Sequence, residues 1–163
     1  MSLLPEDIVA LARRVIIENA AVGRRVAVAE SCTGGLVAAA LTEIAGSSAV
    51  LDRGFVTYSN EAKQELLGVS PEIIDTLGAV SVATAWAMAQ GALTHSHADV
   101  TVAISGIAGP DGGSEQKPVG LVVFARAIRG SEEVNAEERL LDGSSREAVR
   151  HQAALVALDL LLP

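Results

Sequence analysis

The stretch Ala29-Glu30-Ser31-Cys32-Thr33-Gly34-Gly35 sets two hydroxyls, a thiol and two glycines side by side. The apolar run Val26-Ala27-Val28 precedes it and Leu36-Val37-Ala38-Ala39-Ala40-Leu41 follows, so it reads as a strand-to-helix junction. The first turn of a helix carries backbone N–H groups without intrahelical partners, a seat for an anion or an oxyanion. A helix cap followed by tight packing would use the same residue types. Three further segments mix reactive and flexible residues in the same way. They are Thr57-Tyr58-Ser59-Asn60-Glu61-Ala62-Lys63, Ser105-Gly106-Ile107-Ala108-Gly109-Pro110-Asp111-Gly112-Gly113 with Lys117-Pro118-Val119-Gly120 beyond it, and Asp142-Gly143-Ser144-Ser145-Arg146.

Hydroxyl nucleophile chemistry needs a proton acceptor and an oxyanion hole. None of the four segments contains a histidine, which argues against a Ser-His-Asp arrangement. A neutral lysine with a tyrosine relay does the same work when burial or a nearby cation lowers the lysine pKa. The chain has two lysines, Lys63 and Lys117, and both fall inside these segments. Tyr58 and Lys63 sit across one strand-to-helix turn, near enough in sequence to face one pocket. Cys32 is the rival nucleophile, and without a histidine partner it reads as a small apolar residue. Arg146 lies where the first turn of a helix is expected, and the macrodipole disfavours a cation there by about 0.3–1 kcal/mol. A phosphate or carboxylate partner would offset that cost. The loop from Ser105 to Gly113 holds four glycines in nine residues, yet it has neither Walker nor GxGxxG spacing. His95, His97 and His151 lack the spacing of a metal site, and no metal is expected.

The elements that must position these residues alternate. Pro5, as the first helical residue, opens a helix running to about Val22-Gly23. Strand Val26–Ala29 leads into a helix over Thr33–Ile44, and a second strand runs from Val50 to Tyr58. Ser59 or Asn60 caps a short helix over Glu61–Leu67, Ser70-Pro71 starts another, and Ser81 caps a longer alanine-rich helix ending near His95. Val100–Ser105 and Val119–Ile128 read as central strands and Asn135–Leu141 as an edge strand. Ser144-x-x-Glu147 has the capping-box pattern and opens a last helix to about Leu161. Such alternation predicts a three-layer α/β/α sandwich. The short link between the last two strands makes that pair antiparallel, so the sheet is mixed but mostly parallel. In open α/β sheets ligands settle outside the carboxyl ends of the strands, where loops after the first three strands would converge.

Composition bounds the class. The 163 residues suit one domain over residues 1–163, and with only four aromatic residues the core must be built from Ala, Val, Leu and Ile. A net charge of −8 with no basic stripe argues against a nucleic-acid or membrane-surface partner. One cysteine excludes an internal disulfide and fits a reducing compartment. The N-terminus lacks signal-peptide features, and no apolar run approaches the ~20 residues that span a bilayer, so a cytoplasmic location is expected.

Four motifs in order then give a specific likeness: AESCTGG, GFVTYSNEAK with a later AVS, SGIAGPDGGSEQKPVG, and a terminal Arg-x-x-x-Arg. From about Leu11 to Leu158 the chain resembles the C-terminal domain of the competence/damage-inducible protein CinA, a family whose stand-alone members are nicotinamide-nucleotide amidohydrolases. The resemblance implies deamidation of nicotinamide mononucleotide to nicotinate mononucleotide and ammonia, in pyridine-nucleotide recycling. It also implies that Ser31 attacks the carboxamide while Lys63, helped by Tyr58, moves the proton. Substrate contacts would come from Cys32, Thr33, Gly34 and Gly35, from Ser105, Gly106 and Gly109, and from Lys117 and Arg146, with Arg146 and the glycine loop on the 5′-phosphate. Backbone N–H groups near Cys32–Gly35 or Ser105-Gly106 would hold the oxyanion. No cofactor is implied, and a homo-oligomer is expected. Larger members carry an N-terminal molybdopterin-binding-like domain with pyrophosphatase activity, which is not expected here. One departure is visible: Ser144-Ser145-Arg146 stands where many relatives have Gly-Asp-Arg. A covalent Ser31 ester and a water oriented by Ser31 both fit the sequence. The rival from another class is a non-catalytic nucleotide-binding regulatory module linked to competence or DNA damage, and a third reading is a structural oligomerisation domain built on the alanine-rich faces.

Overall fold

Side-chain size alternates along the central strands: Val28 against Ala29, Val102 and Ile104 against Ala103, Phe124 against Ala125. Because successive strand residues point to opposite faces, this pattern builds a sheet with one bulky face and one shallow face. A computed structural model describes residues Met1–Pro163. It contains α1 (Glu6–Ala21), β1 (Val26–Glu30), α2 (Leu36–Thr42), β2 (Leu51–Val56), α3 (Asn60–Leu67), α4 (Pro71–Leu77), α5 (Val82–Thr94), β3 (Val100–Gly106), β4 (Leu121–Ile128), β5 (Asn135–Leu140) and α6 (Arg146–Leu160). The five strands lie in the order β2-β1-β3-β4-β5. β1 pairs parallel with β2 and β3, whereas β4 runs antiparallel to both β3 and β5. The expected α/β/α architecture and mixed sheet are present.

Two cores follow from the two faces. Val28, Val102, Ile104 and Phe124 pack against α1, α2 and α6 through residues such as Ile8, Val15, Leu41 and Leu158. Ala29, Ala103, Ala125 and Ala127 meet Leu67, Met88, Ala89 and Ala92 on the α3–α5 side. The small residues let α5 lie close to the sheet, and the Thr101 hydroxyl donates to the Ala89 carbonyl at 2.7 Å. Gly91 extends that close approach on the outer side, since a Cβ there would stand 2.0 Å from the Leu67 carbonyl oxygen.

The helix starts differ from the sequence expectation in three places. Pro5 precedes α1 as its N-cap rather than sitting inside it. At α6 the cap is Ser145, whose hydroxyl accepts from Ala148 N–H at 2.9 Å, while the Ser144 N–H donates to Asp142 instead. The expected helix over Thr33–Ile44 shortens to Leu36–Thr42 because Gly34 and Gly35 take left-handed backbone angles (φ +59° and +102°). That turn carries the chain away from the end of β1 before the helix begins. It is the geometry on which the site depends.

Candidate active site

β1 lies between β2 and β3, so the chain leaves it for one neighbour and later reaches the other from the opposite side. Such a switch point opens a crevice beyond the strand ends. A cleft of about 250 Å³ occupies it, bordered by Ser31 and Cys32 after β1, Tyr58 and Lys63 after β2, Ser105 to Gly109 at the end of β3 and just beyond it, and Arg146.

At its floor the Lys63 side chain, only 1 % exposed, reaches out from α3. Its Nζ stands 3.0 Å from Ser31 Oγ, 2.9 Å from the Thr57 carbonyl oxygen and 3.2 Å from that of Tyr58. As an ammonium it donates to all three. As a neutral amine it can donate to the two carbonyls and present its lone pair to the Ser31 hydroxyl, the arrangement a general base requires. Burial lowers the Lys63 pKa, and no carboxylate forms an ion pair with it. Ser31 is 7 % exposed and lines the cleft, so its oxygen touches both the lysine and the substrate space.

The neighbouring thiol has the opposite character. Burial pushes the Cys32 pKa up to about 11, which keeps the sulfur protonated at neutral pH. The backbone N–H groups of Cys32 and Thr33 donate to no other backbone carbonyl.

The helix N-terminus itself is taken. Glu30, fully buried at the end of β1, accepts from the Val37 and Ala38 N–H groups of α2, each at 3.0 Å. The expectation of a free anion seat in the first turn of α2 is therefore corrected: the protein supplies its own carboxylate there, satisfying two orphan donors and complementing the dipole. Thr33, Gly34 and Gly35, expected as substrate contacts, do not line the cleft. Thr33 is fully buried, and a Cβ on Gly35 would meet Val56 at 3.5 Å, so these residues shape the turn.

The Tyr58 phenol is 60 % exposed, and its oxygen accepts from Arg146 Nη2 at 2.9 Å. It makes no hydrogen bond to Lys63 or Ser31, so the expected relay lacks its contact; the Tyr58 carbonyl touches the lysine instead. Arg146 Nη1 also donates to the Gly109 carbonyl at 2.7 Å, tying the first residue of α6 to the glycine loop. Ser105, Gly106 and Gly109 border the cleft, and Ser105 Oγ donates to the Ala79 carbonyl at 2.8 Å. Lys117 falls outside the cleft, with Nζ on the Leu77 carbonyl. The structure thus brings Ser31, Cys32, Tyr58, Lys63, Ser105, Gly106, Gly109 and Arg146 together and leaves Thr33, Gly34, Gly35 and Lys117 apart. Asn60 and Asp111 also line the cleft and were not singled out in the sequence. Glu30 was missed as well, although a carboxylate ending the apolar strand Val26–Glu30 was a readable signal.

The description of the CinA C-terminal domain family matches residues 9–163. The chain belongs to the CinA C-terminal domain family. Among its members, the nicotinamide-nucleotide amidohydrolase PncC of Enterobacter agglomerans is 55 % identical over 134 residues, covering 82 % of this chain and 80 % of that protein. The protein of the same name from Escherichia coli strain K12 is 54 % identical over 139 residues, covering 85 % of this chain and 83 % of its own length. Among solved structures, the competence/damage inducible protein CihA of Agrobacterium tumefaciens superposes with a TM-score of 0.95 at 53 % identity, over 99 % of this chain and 97 % of that one. No helix of this family member is long and apolar enough to cross a membrane.

Proposed function

We propose that this family member hydrolyses the carboxamide of nicotinamide mononucleotide to nicotinate mononucleotide and ammonia, with Ser31 as nucleophile and Lys63 as proton carrier. The observation that carries the reading is the contact of 3.0 Å between a buried lysine nitrogen and a serine oxygen at the cleft floor. The relatives named for this activity supply the substrate.

Ser31 Oγ attacks the carboxamide carbon as its proton passes to neutral Lys63. The carbonyl π bond opens, and the oxyanion is held by the Cys32 N–H group, which lacks a backbone partner and belongs to a residue that borders the cleft. Collapse re-forms the carbonyl and breaks the C–N bond, and protonated Lys63 returns its proton to the leaving nitrogen, which departs as ammonia. Water then attacks the Ser31 ester, gives a proton to Lys63, and the second collapse restores the serine hydroxyl and releases the carboxylic acid. Arg146 receives the 5′-phosphate together with N–H groups of the glycine loop, and Tyr58 orients the guanidinium. The single buried cysteine and the lack of a membrane-spanning helix support a cytoplasmic setting.

Ammonia release from nicotinamide mononucleotide tests the reading. Ser31→Ala should lose turnover by a factor on the order of a thousand or more, and Cys32→Ala should lose far less. Normal release by Ser31→Ala would overturn the assignment, and nucleotide binding without any ammonia from the parent chain would favour a binding module.

A further inference from the structure

Arg150 lies one helical turn beyond Arg146 on α6, and its guanidinium turns away from the cleft toward the outside of the Ser31–Gly35 turn. Its Nε donates to the Cys32 carbonyl and its Nη2 to the Thr33 carbonyl, both at 3.2 Å. The Thr33 carbonyl also accepts from Leu36 N–H, whereas the Cys32 carbonyl has no donor but Arg150. The peptides of this turn are trans, so each carbonyl and the N–H of the same peptide unit point in opposite directions. Fixing the Cys32 carbonyl therefore fixes the direction of the Thr33 N–H. The preceding unit is fixed in the same way: the Ser31 carbonyl accepts from Gly34 N–H at 2.9 Å, which directs the Cys32 N–H. Arg150 grips this second device too, since the Thr33 carbonyl and Gly34 N–H share one peptide unit. Arg150 Nη2 lies beside this peptide, 3.8 Å from a Cβ position on Gly34. The Cys32 N–H, at the residue that borders the cleft, is left without a backbone acceptor.

We propose that Arg150 is a positioning residue for the reaction: by holding the Cys32 and Thr33 carbonyls it fixes the turn after Ser31 so that the Cys32 N–H is aimed at the oxyanion. The inference rests on the amidase reading for its oxyanion, but not for the geometry of the turn. A bidentate guanidinium is needed because two carbonyls of adjacent residues must be gripped at once, which an ammonium does poorly.

The test uses Arg150→Ala and Arg150→Lys, with folding checked by thermal melting. Both should lower kcat about ten- to a hundredfold with KM within about twofold of the parent, because the lost interaction belongs to the transition state. Added guanidinium should restore part of the Arg150→Ala rate. The parent's preference for the carboxamide over its thioamide counterpart should shrink by a similar factor, since sulfur is the poorer acceptor. Independently of any substrate, hydrogen exchange at the Gly34 amide should quicken in both variants. Unchanged exchange at Gly34, or a folded variant with unaltered kcat and oxygen-to-sulfur preference, overturns the proposal. A parent chain inert toward nicotinamide mononucleotide, with exchange still altered in the variants, would sink the substrate reading and leave the positioning role standing.

Discussion

Lys63 holds three oxygens with one nitrogen, and the chemistry of the site turns on whether that nitrogen is charged. Burial lowers its pKa from the ordinary 10.5, so the neutral fraction at a given pH exceeds that of a solvated lysine. The base must be unprotonated, so kcat/KM should rise with pH and level off above the depressed lysine pKa. Lys63→Arg keeps a cation but cannot release a proton, and it should lose nearly all turnover. A pH–rate profile flat through the alkaline range, or an active arginine variant, would show the lysine to be a binding group only. Arg146 is tested by ligand pairs. A charge-assisted contact to phosphate contributes roughly 1.5–3 kcal/mol, about ten- to a hundredfold in affinity. Arg146→Ala should weaken nicotinamide mononucleotide by that factor and leave the dephosphorylated nucleoside nearly unaffected, as calorimetry on both ligands and both proteins would reveal. Because the guanidinium also holds Tyr58 and Gly109, Tyr58→Phe serves as the control for lost tethering. Equal weakening of both ligands would move the phosphate site elsewhere.

At the scale of elements, the junction between β1 and α2 works because the strand brings its own cap. A conventional cap sits directly before the helix, but here the glycine turn separates the two and Glu30 reaches back across it to Val37 and Ala38. The turn is thereby fixed at one end by the carboxylate and on its outer side by Arg150. Glu30→Gln keeps the shape but offers one acceptor oxygen and sets an NH₂ group against a backbone donor. Leaving a buried donor unsatisfied costs about 1–3 kcal/mol, so the urea midpoint should fall accordingly. Turnover should fall further than the loss of folded protein explains, because the turn carries Ser31. A variant with the parent's urea midpoint would show that water or relaxation replaces the carboxylate. Position 91 follows the same reasoning on the other face: alanine is the better helix former, yet α5 has no room for its methyl group.

Across the whole molecule, two depressed carboxyls tie distant parts of the chain. Asp7 in α1 is lowered below 3.8 chiefly by its 2.8 Å hydrogen bond with His151 of α6. Asp52 in β2 is lowered below the same value chiefly by accepting from His97 N–H, with Arg53 and Arg25 adding to the effect. A carboxyl that holds its proton less tightly in the folded state stabilises the fold above its unfolded pKa, and that contribution is lost as pH falls through the folded one. Stability should therefore decline on acidification from roughly pH 5 downward. Asp52→Asn should be less stable at neutral pH and show a shallower acid slope. Asp7 is 55 % exposed, so its share of the slope should be modest and weaken in salt. A midpoint that rises on acidification would contradict this account.

The sequence by itself determined the elements and their layering, apart from the glycine turn before α2, because those rest on local periodicity: strand alternation and serine caps before helices. It also determined the short list of reactive residues, since Ser31, Lys63 and Arg146 lie in segments that their composition marks out. The tertiary structure decided which of them meet. Ser31 and Lys63 are 32 residues apart, and only the pairing of β1 with β2 sets their atoms 3.0 Å apart. The same folding step turns the Tyr58 phenol outward to Arg146, 88 residues on, and leaves its carbonyl to the lysine. Arg150 was harder to read because its partners are backbone groups, which every sequence has at every position. Arg150 lies 118 residues from the carbonyl of Cys32 that it holds, and no spacing rule joins an arginine on a last helix to a peptide plane after a first strand. Long-range contacts to backbone atoms depend on how layers stack, and that depends on the size of the side chains packed between them.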